Sequence, residues 1–351
     1  MGLRTYVKSF FSFSIGTWIG ALISFFTTPI VSYLIIPEEF GRASMFTLVY
    51  SILLTTCVLG LDQSFVRFYY EIPQEKRKSL FWESVSLPLV NSILASIILV
   101  IFQDSLSRLL FQSSYPNVGL LLSVSLLTGI LQTFNQLSIR MQKKGLMFSS
   151  IQIISSVSNV SFTILYAKFI SANFYAVIFG QICGNIVALF VGSVYDKASR
   201  SLSSVSYQNI KKYIRYGIPF LPTFLISWLF NSIDRISLRQ YSTFTEIGLY
   251  SAAFKLVSAM NLIQTGFTTF WSPLVYERYS NKPEDKEFYR KAFLGISLAM
   301  YLFGLTLIGL KDIIFLLFSK SYRDAAYIAP FLLFMPIMYT TSETTVVGIN
   351  F

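Results

Sequence analysis

The sequence predicts an all-α fold, a polytopic membrane helix bundle of about ten transmembrane helices, and three observations carry that prediction. Hydrophobic residues fill 54% of 351 positions and charged residues only 13%, about half the roughly 25% charged content of soluble domains. The chain also divides almost end to end into apolar runs of roughly 20 residues. A helix of that length crosses about 30 Å of hydrocarbon at about 1.5 Å per residue with every backbone group bonded internally. Finally, the segments between the runs are short, which leaves no room for a soluble catalytic domain on either face.

The first run, 11–35, ends at Ile35-Ile36-Pro37 without a small-residue cleavage site, so it reads as a retained helix and not a secretory signal. Gly16, Gly20, Ser24 and Thr28 recur along it at every fourth position, a small-residue face suited to close helix packing. A first helix that slides on its neighbour is the second reading of the same face. The next runs are 43–66, 84–102, 117–139 and 146–167. Two of these carry polar stripes: Ser125, Thr128, Gln132 and Asn135 or Gln136 in the fourth run, and Gln152, Ser156, Asn159 and Thr163 in the fifth. Steps of three or four place each set on one helix face, and such groups lack partners in lipid. They serve either as interhelical hydrogen-bond glue or as the lining of an aqueous cavity. Gln132, Asn135, Gln152 and Asn159 are the candidate cavity-lining residues. The remaining runs are 173–194, 213–233, 247–272, 289–310 and 326–351.

Most of the 28 Lys and Arg residues fall on one set of loops when the N-terminus is placed inside, as the positive-inside rule requires. The net charge of +11 is then a basic cytoplasmic face beside anionic lipid, and nucleic acid is not an expected partner. Cys57 and Cys183 lie inside apolar runs as packing residues. With no His in the chain and no Cys cluster, zinc and haem sites are excluded and no cofactor is expected.

Internal repetition organises the runs into two lobes. EFGRASMFTLVYS (39–51) is matched by EIGLYSAAFKLVS (246–258), with Gly41 and Gly248 offset by 207 positions. Tyr70-Glu71 and Tyr276-Glu277 repeat at an offset of 206. The expected layout is two pseudo-symmetric lobes of six helices: an N-terminal lobe over 1–194, a cytoplasmic linker over 195–212 and a C-terminal lobe over 213–351. The second lobe would be incomplete, with four of its six helices present and the chain truncated.

Charges within or beside the runs single out candidate site residues, because a charge in hydrocarbon costs at least a few kcal/mol and marks a pathway or an ion pair by default. Asp62 and Arg67 end the second run on the inner side, and Asp234 and Arg235 end the seventh on the outer side. Lys255 lies about two turns into the eighth run and Glu343 sits in the tenth. For Arg67 and Arg235, interfacial snorkelling is an equal alternative.

The segments LGLDQSFVRFYYE (59–71), GIPFLPTFLISWLFNSIDRISL (217–238), EIGLYSAAFK (246–255) and WSPLVYERY (271–279) resemble bacterial polysaccharide-export flippases. These are the Wzx-type members of the superfamily that also holds the lipid II flippases and the MATE exporters. The resemblance covers the whole chain. It implies a two-lobed transporter of twelve or fourteen helices, in the bacterial plasma membrane. Its substrate would be an undecaprenyl-diphosphate-linked oligosaccharide repeat unit, moved from the cytoplasmic to the outer leaflet for capsule, O-antigen or exopolysaccharide synthesis. Membrane lipid and the polymerase and glycosyltransferases of the same pathway are the implied partners. An anionic diphosphate calls for Arg or Lys donors. Arg67 is therefore assigned to loading it at the inner mouth, with Arg235 and Lys255 attracting it in the outer half. Asp62, Asp234 and Glu343 are candidates for ion coupling, to a proton or sodium gradient, or for charge pairing. The alternatives are a multidrug-type exporter, which needs an acidic cavity, and a membrane polymerase or glycosyltransferase. The latter is not an expected class, since the outer-loop carboxylates are scattered.

Overall fold

A computed structural model describes residues 3–196, 205–281 and 286–346. The described residues are joined by helices throughout: α1 (Leu3–Leu34), α2 (Pro37–Val58), α3 (Leu61–Phe68), α4 (Arg77–Ile101), α5 (Gln103–Phe111), α6 (Val118–Met141), α7 (Gly145–Phe169) and α8 (Phe174–Tyr195). There follow α9 (Tyr207–Gly217), α10 (Leu221–Tyr241), α11 (Phe244–Asn281), α12 (Lys286–Leu316) and α13 (Ala325–Val346). Among the described residues nine helical segments are long and apolar enough to cross a membrane. The eighth expected span falls on α11, which is continuous over 38 residues but is not one of those nine. The last residues of the tenth expected span, 347–351, and the centre of the expected linker, 197–204, lie outside the described residues.

Burial runs opposite to that of a water-soluble protein. On α4 the residues Ile93, Ile97 and Ile101 are exposed while Ser84 and Ser92 are fully buried. Apolar side chains cover the outside because the surrounding solvent is lipid, and a hydroxyl within a span can bond the carbonyl one turn back on its own helix. Ser92 donates to the carbonyl of Leu89 and Ser123 to that of Gly119. The chain is a multi-pass membrane protein.

Two of the expected spans are broken helices. The second is α2 and α3, interrupted where Leu59 and Gly60 take left-handed backbone angles (φ 54° and 72°). The seventh is α9 and α10, interrupted by a 3-10 turn at Ile218–Phe220 that contains Pro219, whose missing N–H and ring prevent a continuous α-helix. The two breaks touch. A Cβ on Gly60 would overlap the carbonyl of Gly217, and one on Gly217 would lie 2.7 Å from the Gly60 oxygen.

The chain forms two compact units whose members are not in chain order. The first comprises Met1–Gly20 and Glu38–Ile247; the second comprises Ala21–Pro37 and Gly248–Phe351. The lobes expected from the repeat, 1–194 and 213–351, follow chain order instead. They differ from the compact units at the second half of α1 and at α9 and α10. The reason for the latter is local. Ser64 Oγ donates to the carbonyl of Tyr213 at 2.7 Å, and Phe68 packs on Tyr213 and Tyr216, so α9 is held by α3. In the first unit the core comprises one cluster around Phe46, Phe111, Leu122 and Phe174 and another around Phe65, Phe81, Phe134 and Tyr213. The second unit packs Trp271 and Val275 of α11 against Phe288 and Ala292 of α12.

Candidate functional site

In the first unit, charged residues concentrate at the end built by α3, the start of α4 and α9. Arg67 forms an ion pair with Glu71 one turn on, at 2.6 Å, with both side chains about half exposed. Asp62 lies in the first turn of α3, accepts a hydrogen bond from Gln63 at 2.7 Å, and keeps its Oδ1 buried with no hydrogen-bond partner among the described residues. Nearby is a carboxylate that sequence reasoning did not single out. Glu83 of α4 is 2% exposed and accepts three hydrogen bonds: from Ser206 N (3.1 Å), Asn209 Nδ2 (2.9 Å) and Tyr213 O–H (3.3 Å). Its Oε1 thus takes the place of an N-cap for α9, whose own Ser206 makes no side-chain cap. Its one legible signal was a carboxylate just before the apolar run placed at 84–102.

A second charged knot lies at the α2 N-terminus. Arg42 pairs with both Glu38 and Glu39, and its guanidinium stacks over the rings of Tyr115 and Phe244 at 5.5 and 5.2 Å. Glu39 Oε2 also accepts from the backbone N–H of Phe174 at 2.8 Å, which satisfies the start of α8. Arg239 also lies over the Phe244 ring, at 5.0 Å, and donates to the carbonyls of Leu110 (2.7 Å) and Leu109 (3.2 Å) at the end of α5. The spacing Glu38-Glu39-x-x-Arg42 on one helix was the available sequence signal for this knot.

The polar stripes meet other helices. Asn135 is 1% exposed and fills the space over Gly192 of α8. Asn159 sits against Gly180 and Gly184 of the same helix. Gln152 accepts from Thr17 of α1 at 3.0 Å, and Gln132 is half-buried. The small-residue face of α1 serves close packing at Gly16, where Ser149 Oγ accepts from the Gly16 N–H and donates to the Ser12 carbonyl, and at Gly20, which abuts Ser156. Sequence reasoning missed a further polar group in the same unit. Tyr50 lies over Gly129 and hydrogen-bonds the side chains of Gln181 and Asn185, while Ser51 accepts from Trp228 Nε1 at 2.8 Å.

Arg235 belongs to this unit and donates to the Asn231 carbonyl at 3.3 Å, with the adjacent Asp234 exposed. Lys255 and Glu343 belong to the second unit. Lys255 is half-buried with its Nζ 3.4 Å from Ser24 Oγ. The Glu343 side chain hydrogen-bonds Tyr339, and its carbonyl accepts from Trp271 Nε1 at 3.1 Å. Within the units, the structure therefore brings Lys255 to the small-residue face of α1. It pairs Arg67 and Glu343 with neighbours one turn away.

Residues 6–278 match the family described as polysaccharide biosynthesis protein. The chain belongs to that family. A curated relative, the Lsg locus putative protein 1 of Haemophilus influenzae, is 24% identical over 283 residues, covering 76% of this chain and 65% of the relative. The chain thus spans just under two thirds of that relative's length. The fold is shared with an inward-facing multidrug resistance MATE family transporter of the MOP superfamily (TM-score 0.65, 15% identity, 93% of this chain and 81% of that one). It is shared equally with the lipid II flippase MurJ in an inward closed conformation (TM-score 0.66, 16% identity, 95% and 75%). The family resemblance read from the sequence motifs agrees with these matches.

Proposed function

We propose that the chain is a flippase that moves undecaprenyl-diphosphate-linked oligosaccharide repeat units from the cytoplasmic to the outer leaflet of a bacterial plasma membrane, with its N-terminus cytoplasmic. The observation that carries the reading is membership of the polysaccharide biosynthesis family over residues 6–278, on a chain whose fold is that of a lipid II flippase. A sugar diphosphate cannot cross hydrocarbon unaided. A membrane protein with buried polar groups in its spans and basic residues beside them supplies the two things the headgroup needs, hydrogen-bond partners and positive charge.

In this reading Arg67 loads the diphosphate at the inner mouth, and Arg235 and Lys255 draw it into the outer half. Lys255 is the most favourable of the three, because it is half-buried and its 3.4 Å contact with Ser24 is long enough to yield to an anion. Coupling to a proton or sodium gradient falls to Asp62, Asp234 or Glu343. The buried Oδ1 of Asp62, with no hydrogen-bond partner among the described residues, suits a proton or a small cation. Pathway glycosyltransferases and a polymerase are the partners, and no enzymatic step is assigned to the chain.

The test is complementation of a strain lacking its own repeat-unit flippase, with leaflet assignment of the lipid-linked repeat. Restored polymer with the intact chain is expected, and a large loss with Lys255→Gln. Normal transport by Arg67→Ala, Arg235→Ala and Lys255→Ala would refute the assignment of these residues. A second reading, export of cationic drugs, is favoured by the equal likeness to a MATE family transporter. Drug resistance conferred on a sensitive host without polymer rescue would select it.

A further inference from the structure

The first unit contains a cavity that the transport reading does not use. It measures about 580 Å³ and is lined by Tyr69, Gln74, Arg77, Lys78, Gln142, Lys144, Tyr195 and Asp196. These residues come from the end of α3, the start of α4, the end of α6, the start of α7 and the end of α8. For helices that each cross once, all five ends fall on one face, the face of the chain's N-terminus.

Three cations line the cavity against one carboxylate, Asp196, which is 1% exposed and already accepts from Gln142 at 2.9 Å. Arg77 is held in place by its ring contacts, 4.5 Å over Tyr69 and 5.6 Å over Tyr70. Its Nε is nonetheless buried with no hydrogen-bond partner among the described residues. Lys143, in a left-handed conformation, also lies over Tyr70, at 5.6 Å. The α4 and α7 N-termini open at the rim, and neither N-cap residue, Lys76 nor Lys144, makes a side-chain cap. The positive ends of these two 25-residue helices add to the field of the three side chains, with the Arg77 N–H itself taken by the Gln74 carbonyl of the preceding 3-10 turn. Gln74, Gln142, Tyr69 and Tyr195 supply neutral hydrogen-bonding groups around the charge.

We infer that this cavity is a binding site for a phosphoryl anion, distinct from the transported headgroup's path. Arg77 is the orienting donor and Lys78 and Lys144 are the point charges. Two sources present that chemistry at such a position: the headgroup of an anionic phospholipid, and a soluble phosphorylated molecule. Phosphate chemistry fits better than a carboxylate, because three cations and two helix N-termini exceed what one monovalent group would neutralise.

The experiment uses the full chain purified in a zwitterionic detergent. One arm titrates inorganic pyrophosphate by calorimetry. The other measures retained phosphatidylglycerol by native mass spectrometry after passage through nanodiscs of phosphatidylglycerol and phosphatidylcholine. The test variant is Lys78→Gln/Lys144→Gln, which leaves the stacking of Arg77 on Tyr69 intact; the charge-matched control is Lys211→Gln/Arg215→Gln, whose residues are exposed on α9 and do not line the cavity. The site predicts at least about tenfold weaker binding in one arm for the test variant, and little change for the control. Loss confined to the lipid arm identifies a phospholipid headgroup, and loss in the pyrophosphate arm identifies a soluble ligand. If the control variant loses as much as the test variant, the effect is diffuse surface charge and the site does not exist. No binding in either arm overturns it as well.

Discussion

Replacing Glu83 by Ala tests the claim that one buried carboxylate holds α9 in the first unit. The side chain is 2% exposed and accepts from Ser206 N, Asn209 Nδ2 and Tyr213 O–H at 2.9 to 3.3 Å. Alanine removes all three acceptors at once and leaves Tyr213, itself 4% exposed, with a buried hydroxyl and no acceptor there. A single unsatisfied buried group costs about 1–3 kcal/mol, and losing a helix cap costs about 1 kcal/mol. The sum is about 3 kcal/mol, allowing for partial relaxation toward water at the exposed Ser206. Glu83→Gln keeps one carbonyl oxygen for Ser206 and Asn209 while Tyr213 rotates to accept from its amide, so its cost is about 1 kcal/mol. Thermal unfolding of the purified protein in detergent ranks the two variants. Hydrogen exchange localises the effect, with faster exchange over 206–213 in Glu83→Ala. Unchanged exchange in that segment would show that α9 is held by the Phe68 and Ser64 contacts alone, and the capping argument would fail.

Other variants probe other elements. Gly60→Ala forces a Cβ into a φ of 72° and onto the Gly217 carbonyl, so a loss of at least about 2 kcal/mol is expected by thermal unfolding. Arg42→Gln breaks pairs with two carboxylates at a side chain that is only 13% exposed. The Glu38 partner is 45% exposed and screened by water, whereas Glu39 is 16% exposed, so the second pair dominates and a loss of about 1–2 kcal/mol follows, read by the same assay. On the proposed flippase reading, Lys255→Gln is expected to lower transport more than tenfold with little change in melting temperature, since glutamine removes the charge while keeping a donor within reach of Ser24. Tyr69 and Tyr322 lie outside the spans, and burial raises both phenols above the ordinary value of 10.0. The neutral form is therefore favoured in the fold. Stability is full below pH 10 and falls as pH rises through the raised values. Tyr69→Phe/Tyr322→Phe should show a shallower loss of melting temperature between pH 9.5 and 11.5, and an unchanged slope would refute the linkage.

The sequence by itself determined the membrane-spanning helical class, because hydrocarbon imposes a length and a polarity on every span that composition and run length reveal directly. The edges of most spans were readable for the same reason: 117–139 became Val118–Met141 and 173–194 became Phe174–Tyr195. Breaks inside spans were not readable. Leu59-Gly60 lies within an unbroken apolar run, and only the approach of Gly217 shows why the backbone leaves the helix there. Polar stripes showed which faces of α6 and α7 avoid lipid, but the glycines that meet Asn135 and Asn159 lie on α8, at distances in sequence that periodicity does not report. Charge was harder still. Arg67, Asp234 and Arg235 stood out by their place at span ends, whereas Glu83, Arg42, Arg239 and Arg77 acquire their roles from partners on other helices. Local spacing determines which solvent a helix face meets, and tertiary contact alone decides which distant groups share a site.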